Sequence, residues 1–166
     1  AALKPPYHMI NLMDEKAVKI FLEVTHQRYF DHAGKYFGNT IPAFFTDEPS
    51  LMNYQDNKMP TTAVPWHPQF AQWFQDKYGY DIMYYLPALY HNCGPMTKKV
   101  RCDYFDLVTD KVENSYHKQI ADWCAAHGVD SSGHLLLEER LYWHALFQGD
   151  YMRCLRHMHR PGIDVL

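Results

Sequence analysis

What this chain lacks narrows what it can be. No apolar stretch approaches ~18 residues, so no segment reads as membrane-spanning. No basic run exists and the formal charge is -3 with neutral His, which disfavours a nucleic-acid partner. The four cysteines, Cys93, Cys102, Cys124 and Cys154, contain no C-x-x-C pair, which argues against a zinc knuckle. Their spacing suggests free thiols rather than a disulfide framework, and the compartment stays open. The chain also opens without a methionine or a signal segment. It closes on Gly162-Ile163-Asp164-Val165-Leu166, which reads as a strand cut in progress, so a fragment of a longer protein is expected. No internal repeat or low-complexity segment is evident.

What is present suffices for one domain, spanning 1–166, with a real core: 47% of the 166 residues are hydrophobic. Aromatics reach 16%, with 13 Tyr and 4 Trp, more than a core alone asks for. Flat aromatic faces also line sugar-binding clefts, although excess Tyr discriminates poorly between the two uses.

Residues Tyr7 to Met13 read as the end of a strand. Asp14 fits a helix N-cap, and Ala17, Val18, Phe21, Leu22, Thr25, Tyr29, Ala33 and Tyr36 recur at helical spacing up to Gly38. Ile41 to Thr46 is short, apolar and aromatic, the pattern of a strand buried on both faces of a parallel sheet. A loop with four prolines follows, Pro49 to Pro68, long enough to suggest function. Helices are expected from Phe70 to Tyr78, from Asp81 to Tyr90 and from Tyr104 to His127, with a loop from His91 to Arg101. Gly133 to Glu138 reads as another strand. Arg140 to His159 reads as helical with a break near Gly149, and Pro161 to Leu166 as the last strand. Strands alternating with helices imply an α/β fold with a parallel sheet.

Two of these strands end in acid, at Asp47-Glu48 and at Glu138-Glu139. In parallel α/β folds the functional groups collect at the carboxyl ends of the strands. Four carboxyl groups in one crevice repel one another and raise each other's pKa, a cost that suggests use. One use is paired general acid/base chemistry, as in glycoside hydrolysis. The other is a cation such as calcium, which takes several oxygen ligands. Strand alternation puts His134, Leu136 and Glu138 on the inward face and leaves Glu139 as a helix N-terminal acid or a group behind the site. In the long loop, Trp66 offers a stacking face for a sugar and His67 lies beside it. Asp164, inside the last strand, is a further sugar or metal ligand candidate. His157 and His159, two residues apart on a helix, read as solvated surface.

Asp47-Glu48-Pro49 after an apolar strand resembles the Asn-Glu-Pro signature of the large clan of (β/α)₈ glycoside hydrolases. The segments FFTDEPSL, ADWCAAHGV, SGHLLLEE and HMHRPGID, from about residue 14 to the end, resemble bacterial glycoside hydrolases related to α-L-rhamnosidases. The resemblance implies a partial (β/α)₈ barrel of roughly half the eight strands. It implies Glu48 as general acid and Glu138, or a later carboxylate, as base or nucleophile. It places Asp47 where the clan has a sugar-contacting Asn. It implies a carbohydrate substrate and no obligatory cofactor, with calcium in some relatives. Two other readings stand beside it: a catalytically inactive carbohydrate-binding or scaffold module, and a metal-dependent hydrolase. A half-barrel would leave open sheet edges, so self-association is expected as well.

Overall fold

The computed structural model describes residues 10–52 and 63–164. The fold is α/β, built on a three-stranded parallel sheet in the order β1-β2-β3, with β1 at Ala43–Asp47, β2 at Asp130–His134 and β3 at Arg160–Pro161. The register pairs Ala43 with Asp130 and Asp47 with His134, so the carboxyl ends of β1 and β2 finish level. Among the described residues no helix is long and apolar enough to cross a membrane. All four cysteines are free thiols.

Helix α1, Glu15–Val24, starts where Asp14 caps it, accepting the amides of Lys16 and Ala17 at 2.9 and 3.2 Å. It buries Val18 and Leu22. The expected continuous helix to Gly38 is broken instead at Thr25. The Thr25 hydroxyl donates back to the Phe21 carbonyl at 2.6 Å, a local bond that competes with the helix and bends it. The chain resumes as α2, His26–Ala33, with His26 buried against the Phe44 ring of β1 at 4.4 Å. Burial pushes the His26 imidazole down to about 4, so it packs as a neutral ring. Residues 10–13 form a turn rather than the expected strand end, while 7–9 lie outside the described residues.

Helix α3, Phe70–Tyr78, stops at Gly79, whose left-handed φ of 77° closes it as expected. A 3₁₀ turn, Ile82–Tyr85, leads into α4, Leu86–Tyr90. Helix α5 runs from Met96 to Val112, eight residues earlier than the aromatic stripe suggested, because Thr97 satisfies the preceding loop with a 2.8 Å bond from the Cys93 amide. Val100, Tyr104, Leu107, Val108 and Val112 form its buried stripe. The helix widens into a π turn at Glu113–Lys118 before α6, Gln119–Ala126. After β2 come α7, Leu141–Phe147, and α8, Tyr151–Leu155, separated at Gly149. The core sits between the helices and one face of the sheet, centred on Tyr104, Phe70, Phe74, Ile82, Leu107 and Leu135. The other sheet face is open: Phe45 of β1 is 66% exposed.

The π turn carries a buried acid. Glu113 accepts from Arg153 and His157 at 2.9 Å each, and from Arg156. His157 is therefore not solvated surface, and His159 accepts the Ser131 amide at 3.0 Å, so both histidines tie the chain before β3 to the fold. Burial alone would raise the Glu113 carboxyl; donation by His157, Arg156 and Arg153 outweighs it and holds the carboxyl below its ordinary 4.5. A depressed carboxylate stabilises the fold above its unfolded-state pKa, and that contribution disappears as pH falls through the folded-state value. Glu113→Gln is expected to cost about 1–3 kcal/mol at neutral pH. Urea midpoints followed from pH 7 to pH 3 check it: the wild type falls more steeply than the variant below pH 4.5.

Candidate active site

The last ladder pair of β1 and β2 brings Asp47 beside His134. His134 Nε2 lies 3.1 Å from Asp47 Oδ1, and its Nδ1 lies 2.9 Å from Glu138 Oε1. The Nδ1 contact runs off the N–H direction, so it is a charge attraction more than a hydrogen bond. Glu138 Oε1 also accepts the Asp164 amide at 3.0 Å. Donor atoms of Glu48, His134 and Asp164 all lie within 4.8 Å of one another. Acids from the end of β1 and from the segments that follow the three adjacent parallel strands thus gather around one imidazole.

Each position has a local cause. Glu48 leaves β1 with a left-handed φ of 48°, which turns the chain at the strand end. β2 covers Asp130–His134 rather than the expected Gly133–Glu138, because the run Leu136–Glu139 is a turn with Leu137 at φ 60°. Glu138 therefore reaches the site from that turn, not by strand alternation. Its side chain is 4% exposed, whereas that of Asp47 is 78% exposed at the rim. Asp164 follows β3, which is shorter than expected; residues 165 and 166 lie outside the described residues.

The electrostatics follow from this crowding. Burial raises the Glu48 carboxyl above its ordinary 4.5, and Asp47, Glu138 and Asp164 raise it further, against a smaller pull from His134. For His134, burial favours the neutral ring, but Glu138, the Leu135 backbone, Asp47 and Asp164 outweigh it and hold the imidazole protonated above its ordinary 6.5. The crowding thus favours the protonated form of Glu48 and the charged form of His134, each relative to its ordinary range.

Three other expected residues lie elsewhere. The Trp66 ring packs on Phe70 at 4.9 Å and its carbonyl accepts from Asn11 at 2.9 Å, which anchors the loop. His67 stacks on Trp73 at 4.4 Å, accepts the Gln69 amide at 3.1 Å and points Nε2 at Asp14, 3.7 Å away. His67 and Trp73 line a separate cleft of about 640 Å³ beside the start of α1. Glu139 turns to Arg140 at 3.1 Å. The remainder of the proline-rich loop, 53–62, lies outside the described residues.

Three neighbours were not singled out from sequence. Phe45 exposes its ring on the open sheet face, 5.7 Å from the His134 ring. It reads as an ordinary core aromatic in the apolar run, and only the position of the sheet exposes it. His144 and Tyr151 come from α7 and α8 and stand behind Glu138; nothing in LYWHALF or YMRCL distinguishes them.

No family model matches the chain, and no curated protein matches it. Among solved structures it is similar to a rhamnosidase from Novosphingobium sp. PP1Y, with a TM-score of 0.62 and 22% sequence identity. The likeness covers 90% of this chain and 13% of that one, so the chain spans about an eighth of its neighbour's length and shares its fold over that part.

Proposed function

We propose that this chain carries the general-acid side of a glycoside hydrolase site, on a sheet that forms part of a (β/α)₈ barrel. The observation that carries the reading is geometric: Glu48 at the carboxyl end of β1 meets His134 and Asp164 within 4.8 Å, while Asp47 and Glu138 contact the same imidazole, and this crowding raises the Glu48 carboxyl. Glu48 holds its proton to higher pH than an ordinary carboxyl and gives it to the glycosidic oxygen as the bond to the anomeric carbon breaks. The likeness in fold to a rhamnosidase supports an α-L-rhamnoside or related deoxysugar glycoside as the first substrate to test.

The second carboxylate follows from separation. Asp164 places a carboxylate oxygen within 4.8 Å of Glu48, too close for the water of an inverting pair, which needs about 6.5–9.5 Å. A retaining mechanism can use Asp164 as nucleophile; an inverting one takes its base from Glu138 or from outside this chain. Glu138 is held against His134 and accepts the Asp164 amide, and on the retaining reading it sets the charge around Glu48 rather than attacking the sugar. Turnover of an aryl α-L-rhamnoside by the full chain, with the product anomer read by NMR, tests the reading. No turnover of any aryl glycoside, or full turnover by Glu48→Gln, defeats it.

A metal reading has one observation behind it, the convergent donors of Glu48, His134 and Asp164. They would hold a divalent cation through two carboxylate oxygens and one imidazole nitrogen, and such an ion would polarise a bound oxygen. The imidazole suits a zinc- or manganese-type ion better than calcium, which prefers oxygen alone. This reading needs His134 neutral and Glu48 ionised, the reverse of the acid–base one. Under the acid–base reading, elemental analysis is expected to find no stoichiometric metal and a chelator to leave the rate unchanged. A rate lost to chelator and restored by metal reverses the assignment.

A further inference from the structure

Glu138 stands on a turn that its own sequence does not favour. Leu137 adopts φ 60°, a left-handed conformation uncommon for a leucine, so something outside the turn must hold it. The Arg140 amide donates to the Leu137 carbonyl at 2.9 Å. The second restraint is His144 of α7, whose Nε2 lies 3.1 Å from the Leu137 carbonyl oxygen and 3.1 Å from the Glu138 carbonyl oxygen. Both partners are acceptors only, so Nε2 must carry the hydrogen and bridge them. The ring itself is fixed, buried and stacked on Tyr151 at 4.7 Å with 21° between planes.

We infer that His144 is a positioning residue: by bridging the Leu137 and Glu138 carbonyls it fixes the turn that holds Glu138 against His134 and the Asp164 amide. The inference rests on the hydrolase reading for its kinetic consequence, though not for its geometry. Without the bridge the Glu138 backbone gains freedom, and Oε1 leaves its place between His134 Nδ1 and the Asp164 amide. The charge balance around Glu48 then changes, although His144 itself touches no substrate.

Two variants of the full chain separate the donor from the ring. His144→Phe keeps a ring to stack on Tyr151 and removes the N–H. His144→Gln removes the ring and keeps an amide N–H at the corresponding reach. With an aryl α-L-rhamnoside, His144→Phe is expected to lower kcat by about 10- to 100-fold, the effect of misplacing a group by on the order of 1 Å. KM should stay within about twofold, and His144→Gln should recover most of the loss. Equal impairment of the two variants, or wild-type kcat in His144→Phe, overturns the inference. Circular dichroism on the same samples keeps unfolding apart from misplacement: a kcat loss that matches the loss of folded fraction also overturns it. An independent arm uses no substrate. Long-range ¹H–¹⁵N spectra of the wild type should show the Nε2–H tautomer of His144, and an Nδ1–H tautomer ends the inference whatever the enzyme does. If the wild type turns over no glycoside, the hydrolase reading fails while the tautomer still decides the bridge.

Discussion

Glu48→Gln is expected to lower glycoside turnover by about 10²- to 10⁴-fold, the range that general acid catalysis supplies. The amide keeps the size of the side chain and cannot donate an acidic proton. The loss should shrink for substrates with good leaving groups, such as nitrophenyl glycosides, because these need little protonation. The pH profile carries the sharper test. Burial, Asp47, Glu138 and Asp164 raise the Glu48 carboxyl, so the wild-type rate should decline with rising pH only above the ordinary carboxylate range, and that limb should vanish in the variant. Stability moves the other way. A carboxyl with a raised folded-state pKa contributes stability that is fully present below its unfolded value, here 4.5, and lost as pH rises through the folded one. Gln mimics the protonated form at every pH. The variant should therefore melt higher than the wild type at pH 7 and alike at pH 4, a measurement by calorimetry that needs no substrate. A variant no more stable at pH 7 than the wild type contradicts the crowding of acids around Glu48, and undiminished turnover removes its catalytic role.

Gly133→Ala is expected to destabilise the chain by roughly 3 kcal/mol or more, among the largest effects available to one methyl group. An added Cβ would meet the Thr46 carbonyl oxygen at 2.1 Å and the Thr46 nitrogen at 2.8 Å, on backbone already at φ 140°. Thr46 is the ladder partner of Gly133, so the clash lies inside the β1–β2 pairing, where only bare backbone fits. No flexible side chain can move aside. The next pair along is Asp47 with His134, so the variant should also separate the acids of the site. A fall in the urea midpoint with loss of turnover is the expected outcome. A variant as stable as the wild type would mean that β1 and β2 are not paired in this register.

The rhythm of the fold was legible where local physics decides. Asp14 caps α1, Gly79 ends α3, and the alternation of strands with helices gives the parallel sheet. Boundaries failed where a single contact overrides periodicity. Thr25 bends one expected helix into two, and Thr97 lets α5 begin inside an expected loop. The largest displacement fell on β2. The leucines of GHLLLEE suggested a strand, but pairing runs through DSSGH, a stretch with no apolar residue. Gly133 and the serines suit a strand whose backbone is approached closely on one side and whose hydroxyls bond to neighbours: Ser131 to His159, and Ser132 to the Arg160 carbonyl at 3.0 Å.

The sequence alone determined that one strand ends in acid, since an apolar run that stops at Asp47-Glu48-Pro49 is visible without coordinates, whereas the strand expected to end at Glu138 stops at His134. It also offered Asp47, Glu48, Trp66, His67, His134, Glu138, Glu139 and Asp164 as candidates, without ranking which would share a pocket. Only the tertiary structure decided which of the candidates meet. Register levels Asp47 with His134, a left-handed leucine delivers Glu138, and the same packing sends Trp66, His67 and Glu139 to other partners. The physical reason is range. Capping and alternation act over a few residues, whereas a shared pocket depends on how strands nearly ninety residues apart in the chain lie side by side.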